Sequence, residues 1–159
     1  MTGIAVIGPG AIGGTVTAWL ARDPDNPLTV CVGTPLDRLP IDSPRGTLTA
    51  VPPVLTRPAE ATPVGWVLIA TKAYDVAAAA AWLPESIGLA TRVAILQNGV
   101  DHIERFAPHL AAAAIVPAVV DLPAERLSPG HVRQRGDGRL TFPLVSMGAT
   151  SRGCFRRPA

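Results

Sequence analysis

The sequence predicts an α/β domain: a mostly parallel sheet with helices on both faces, closed by a C-terminal hairpin. Three observations carry this. Short apolar runs recur along the chain, each bounded by glycine, proline or small polar residues. Helix-forming stretches alternate with them. The first run leads directly into a glycine-rich turn. Runs that are apolar throughout are the mark of strands buried on both faces of a parallel sheet, and alternation with helices builds such a sheet.

Taken in order, GIAVI at 3–7 predicts the first buried strand. A helix follows over about Ala11–Arg22, ended by Pro24 and Pro27. LTVCV at 28–32 is the second strand. Residues 34–63 hold seven prolines and read as loop, with one strand at Thr47–Val51. WVLIA at 66–70 is the next buried strand. Asp75 can cap a helix toward Ile87, which Pro84 ends or kinks. RVAIL at 92–96 is again a strand, and Asp101 opens a helix through His102, Ile103 and Phe106. IVPAVV at 115–120 is a strand whose Pro117 favours an edge or a bulge. His131–Gln134 and Arg139–Phe142, split by GDG at 136–138, read as a hairpin. Residues 1–143 form the predicted α/β domain. Residues 144–159, with three arginines and no acid, read as an irregular basic tail.

Composition narrows the function classes. At 159 residues and 48 % hydrophobic content the chain can bury one sizeable core, and with 4 % aromatics that core rests on Val, Ile, Leu and Ala. A net charge of +2, with scattered arginines, argues against nucleic acid or a membrane surface as partner. No leader-like start and no long apolar run is evident, so the expected location is the cytoplasm. Cys31 and Cys154 lack metal-type spacing, and Cys31 is expected to be a reduced, buried thiol. No metal site is expected. His102, His109 and His131 have no carboxylate at telling spacing and read as surface or packing residues.

GPGAIGG at 8–14 fits G-x-G-x-x-G directly between a strand and a helix, which is the Rossmann-like setting. Gly8 permits the tight turn, Gly10 lets the backbone approach a pyrophosphate, and Gly13 lets the helix pack on the strand. The helix N–H groups then face the anion. The second strand ends Val32-Gly33-Thr34 without an acid for a ribose 2′-hydroxyl, which leans toward NADP(H). Lys72, in LIATKAYD, is the one lysine beside 13 arginines. An amine kept once, after a predicted strand, points to a site that needs a compact point charge. Asn98 likewise follows a predicted strand.

The set GPGAIG at 8–13, ATKAYD at 70–75 and LQNGVDHIE at 96–104 resembles the ketopantoate reductase (2-dehydropantoate 2-reductase) family, and SPGHVRQRGDGRLTFP at 128–143 resembles its glycine-marked hairpin. The resemblance implies that Gly8, Pro9, Gly10, Ala11, Ile12 and Gly13 form the phosphate loop. It places Lys72 beside the cofactor, and Asn98 near the nicotinamide ribose and the 2-oxo acid substrate. The implied reaction is NADPH-dependent reduction of 2-dehydropantoate to pantoate, in pantothenate biosynthesis.

Two departures stand out. The family often has arginine where this chain has Gly33, with Thr34 or Arg38 as possible substitutes. The family also continues into an all-helical domain that supplies the proton-donating lysine, so no catalytic residue is assigned here. A truncation after about Pro143 is the expectation, with an isolated chain weak or inactive and prone to self-association through bared apolar surface. The alternatives are an oxidoreductase for another 2-oxo or 2-hydroxy acid, and a non-catalytic NADP(H)-binding module that needs a partner chain.

Overall fold

The structure is a computed structural model and describes residues 3–143. The basic tail expected over 144–159, with Cys154, lies outside the described residues. The chain runs β1 (Ile4–Ile7), α1 (Ala11–Leu20), β2 (Leu28–Cys31), β3 (Leu39–Ser43), β4 (Gly46–Ala50), β5 (Val54–Leu55) and β6 (Val64–Ile69). It continues with α2 (Val76–Ala80), α3 (Leu83–Ser86), β7 (Ile87–Ile95), α4 (His102–Phe106), β8 (Ile115–Pro117) and β9 (Val119–Asp121). The last strands are β10 (Ala124–Ser128), β11 (His131–Gln134) and β12 (Arg139–Thr141).

Six strands form a parallel sheet in the order β5-β2-β1-β6-β7-β8. The apolar runs become its interior because helices cover both faces. On one face Ile7, Ile69 and Ile95 pack with Ala79 of α2, Trp82 just before α3, Leu83 of α3 and Phe106 of α4. On the other, Val6, Leu68 and Ala94 pack with Val16 of α1. The far side of α1 is covered as well: Ala18 meets Leu39, Ile41 and Val132 of a second sheet, β10-β11-β3-β4. A helix buried on two sides has no water for its polar groups. Accordingly Thr15 and Thr17 turn their hydroxyls back onto the carbonyls of Ala11 and Gly13, at 2.8 and 2.7 Å.

Three local expectations are corrected. The proline-rich stretch 34–63 is more than a loop: it holds the β3–β4 hairpin, turned at Gly46 (φ 105°), and edge strand β5. Its apolar residues Leu39 and Ile41 are fully buried over α1, and that burial outweighs the proline content. The helix expected over 75–87 breaks into α2 and α3, and Pro84 sits in the first turn of α3, where its missing N–H costs nothing. The C-terminal hairpin is β10–β11, turned at Gly130 (φ 78°), and β12 pairs instead with β9. The reason is that Arg135 still follows β10, its N–H reaching the Pro123 carbonyl at 2.7 Å, so GDG redirects the chain instead of reversing it. Pro117 lies on edge strand β8, as its chemistry requires.

Candidate cofactor site

One register row crosses the sheet: Cys31, Ile7, Ile69, Ile95 and Pro117 are successive partners on β2, β1, β6, β7 and β8. The strands are parallel, so the loops that follow leave the sheet side by side on its carboxyl edge. The loops after β1, β6 and β7 carry the three motifs singled out in the sequence. The connection from β1 runs to β2 on one side, while β6 lies on the other, so this is the point where the strand order reverses. Ligands of open α/β sheets bind at such a point.

The glycine loop has the geometry its spacing predicts. Gly8 has φ 85°, and a Cβ there would lie 2.7 Å from Thr71 Cγ2. At Gly13 a Cβ would lie 2.3 Å from the Gly8 carbonyl oxygen. At Gly10 a Cβ would meet nothing within 4 Å, so the backbone there faces open space. Gly10 is the N-cap of α1, no side chain caps that end, and no acid occupies the first turn. Pro9 is buried, and Ala11 and Ile12 are half-buried beside it. The loop thus leaves uncapped N–H groups and the positive end of a ten-residue helix facing outward, suited to an anion.

Lys72 and Asn98 are both exposed, on neighbouring loops. The sequence reasoning missed a network that joins these loops through the buried Gln97. Gln97 Nε2 donates to Thr71 Oγ1 at 3.0 Å and to the Lys72 carbonyl at 3.2 Å. Gln97 Oε1 accepts from Arg105 Nη1 at 2.9 Å, and Arg105 Nη2 pairs with Asp101. The Arg105 hydrogen bond holds the Asp101 carboxyl below its ordinary range. Gly99 (φ 120°) leaves room for this pair, since a Cβ there would lie 3.0 Å from Arg105 Nη2. The one available signal was a polar Gln directly after an apolar strand, next to Asn-Gly.

At the start of α4, His102 is buried, 3 % exposed, and its Nδ1 has no hydrogen-bond partner among the described residues. Burial, then the Arg105 charge, push its imidazole below the ordinary histidine range, partly opposed by Asp101 and the Gly99 backbone. His131 does have a carboxylate partner, contrary to the sequence reading: Asp42 Oδ2 lies 2.9 Å from its Nε2, brought there by the β3–β11 pairing. Cys31 is buried as expected, and burial pushes its thiol up to about 12.

A family model described as ketopantoate reductase PanE/ApbA matches residues 4–146. The chain belongs to this family. A 2-dehydropantoate 2-reductase of Caulobacter vibrioides is 50 % identical over 155 residues, which is 98 % of this chain and 53 % of that protein. One from Mycobacterium tuberculosis is 42 % identical over 144 residues, 89 % of this chain and 48 % of that protein. The crystal structure of a PanE/ApbA family ketopantoate reductase from Ralstonia eutropha covers 92 % of this chain and 50 % of its own, with a TM-score of 0.79 and 27 % identity. This ketopantoate reductase family chain therefore spans about half the length of the curated relatives it matches. Its sheet and helices are the Rossmann-like architecture of the structure it matches.

A groove of about 480 Å³ lies elsewhere, against the opposite end of β7, between Leu83, Leu89, Arg92 and Leu110. None of the sequence-predicted site residues lines it.

Proposed function

We propose that residues 3–143 are the cofactor-binding domain of an NADPH-dependent reductase of 2-dehydropantoate. The observation that supports this most is the juxtaposition of the open Gly10 backbone, the uncapped start of α1, Lys72 and Asn98 on one sheet edge, in a chain of this family. In this reading the N–H groups of Ala11, Ile12 and Gly13 bind the pyrophosphate, with Gly8 and Pro9 shaping the turn. The Lys72 ammonium supplies a fixed positive charge beside the cofactor, and the Asn98 carboxamide orients the nicotinamide ribose and the 2-oxo acid. NADPH, when bound, supplies the hydride. The resemblance assigns the proton donor to a helical domain beyond residues 3–143, so the work of this domain is to bind and orient.

The same edge exposes Tyr74, Val100 and Ile103, and self-association through this apolar surface is part of the proposal. Sedimentation at rising concentration checks it. No described helix is long and apolar enough to cross a membrane, and a cytoplasmic location is proposed with the function. The deciding experiment is a fluorescence titration of the full chain with NADPH, followed by turnover of 2-dehydropantoate with and without a helical domain supplied separately. Saturable binding, with turnover only in the mixture, supports the reading; no binding overturns it.

A further inference from the structure

We infer that Gln97 is a positioning residue for this site: its buried carboxamide locks the loop bearing Lys72 to the loop bearing Asn98, backed by Arg105. The inference rests on the cofactor reading above. Gln97 is 3 % exposed. A buried carboxamide offers two N–H donors and an oxygen, and each left unpaired is costly. Here both faces are used, by three groups on two other segments: the side chain of Thr71 and the backbone of Lys72 on the loop after β6, and the guanidinium of Arg105 on α4. Arg105 can only donate, so the oxygen of Gln97 must face it and the NH₂ must face the β6 loop. The orientation is therefore chemically determined.

The bonds fall where they fix the site. The Lys72 carbonyl accepts from Gln97 and also from the Asp75 N–H at 2.9 Å, which closes its own turn. The backbone from which the ammonium departs is held from two sides. Thr71 is the residue against which the Gly8 turn packs. One amide thus joins the loops after β6 and β7 and reaches the glycine turn only through Thr71, while Lys72 and Asn98 themselves stay exposed. Ordering these loops before binding lowers the entropy that binding must supply.

The single lysine provides the test, because lysine labelled with ¹³C and ¹⁵N gives one side-chain NMR signal in the full chain. Gln97→Leu removes all three bonds at similar volume. Gln97→Glu keeps the acceptor toward Arg105 and loses both donations. Val93→Ala, a core change in β7, the strand that precedes Gln97, controls for lost stability. The expected result is a roughly tenfold weaker NADPH affinity for both Gln97 variants and a Lys72 signal displaced or broadened before any cofactor is added, with Val93→Ala within about twofold of the parent. Gln97 variants that bind within about twofold, or a Val93→Ala chain that loses as much, overturn the assignment. Should Gln97→Leu fail to fold, Gln97→Glu decides by the same criteria. If the parent chain itself binds no NADPH, the cofactor reading fails, and the Lys72 signals of the free proteins alone decide the role of Gln97.

Discussion

The α-carbon of Gly13 faces the Gly8 carbonyl so closely that a Cβ would stand 2.3 Å from that oxygen, and 2.9 Å from Ala70 Cβ. Helix α1 can lie on β1 and β6 at this distance only because Gly13 has no side chain. Backbone oxygen cannot move aside as a rotamer can. Gly13→Ala should therefore destabilise the domain by about 3 kcal/mol, at the upper end of overpacking costs, read as a lower urea midpoint at unchanged slope.

Gly10 makes the opposite case. Its Cβ would enter open space, so Gly10→Ala should cost less than about 1 kcal/mol, mainly through a poorer N-cap. The methyl group would occupy the volume that the proposed pyrophosphate needs. NADPH affinity should fall about tenfold or more while the melt barely changes. Unchanged affinity in a folded Gly10→Ala chain would remove the loop from the binding site.

Lys72 is exposed, so its replacement should leave stability within about 0.5 kcal/mol. Binding is the sensitive readout. Lys72→Ala should weaken NADPH about tenfold, and Lys72→Arg should recover only part of this, since a planar guanidinium does not copy a compact ammonium. Full recovery by arginine would mean that charge alone matters here.

How much of this was legible follows from where each signal resides. The β1–glycine turn–α1 unit reads directly from GIAVIGPGAIGG because strand, turn and helix are contiguous and the demands on each glycine are local. Lys72 and Asn98 were placed at strand ends because the apolar runs before them set the end of the sheet. The second sheet was not legible. Pairing of β3 with β11 joins Ile41 to Val132 across 90 residues of sequence, and prolines 35, 40 and 44 point locally to loop. The Asp42–His131 pair was lost with it. Gln97 was overlooked for a related reason: its partners Thr71, Lys72 and Arg105 belong to other segments, and nothing in LQNG distinguishes a buried amide from an exposed one.

His102 gives the pH prediction. Its folded pKa is lowered, so between that value and about 6.5 the unfolded chain binds more protons. Stability is then fully present above about 6.5 and falls as the pH drops toward the folded value. The carboxylates held low, Asp42 by His131 and Thr47, Glu60 by Arg57, and Glu125 by Arg135, act in a separate, more acid window. Their contribution is lost as the pH falls from the ordinary carboxylate range through their lowered values. Urea melts at about pH 7.5 and about pH 5.5 should show a loss that His102→Gln reduces. An equal loss in the variant would assign that slope to other groups.

Cofactor preference turns on the end of β2. Gly33 has open space around its Cβ position and offers no side chain to a 2′-phosphate. The sheet, however, continues past β2. Edge strand β5 runs parallel to it, with Cys31 opposite Leu55 and the Val32 N–H on the Leu55 carbonyl at 3.0 Å. Arg57 follows Leu55 by two residues on the same edge, with its side chain 78 % exposed and its guanidinium held by Glu60 at 2.7 Å. Arg38 is exposed too, but in the longer loop between β2 and β3. The expectation is that the chain binds NADPH more tightly than NADH, and that Arg57→Ala reduces the ratio of affinities about tenfold, Arg38→Ala less. Parallel fluorescence titrations with the two cofactors measure it. Equal or reversed affinities in the parent chain would sink the NADPH preference. A ratio unmoved by Arg57→Ala but reduced by Arg38→Ala would return the phosphate clamp to the β2 loop.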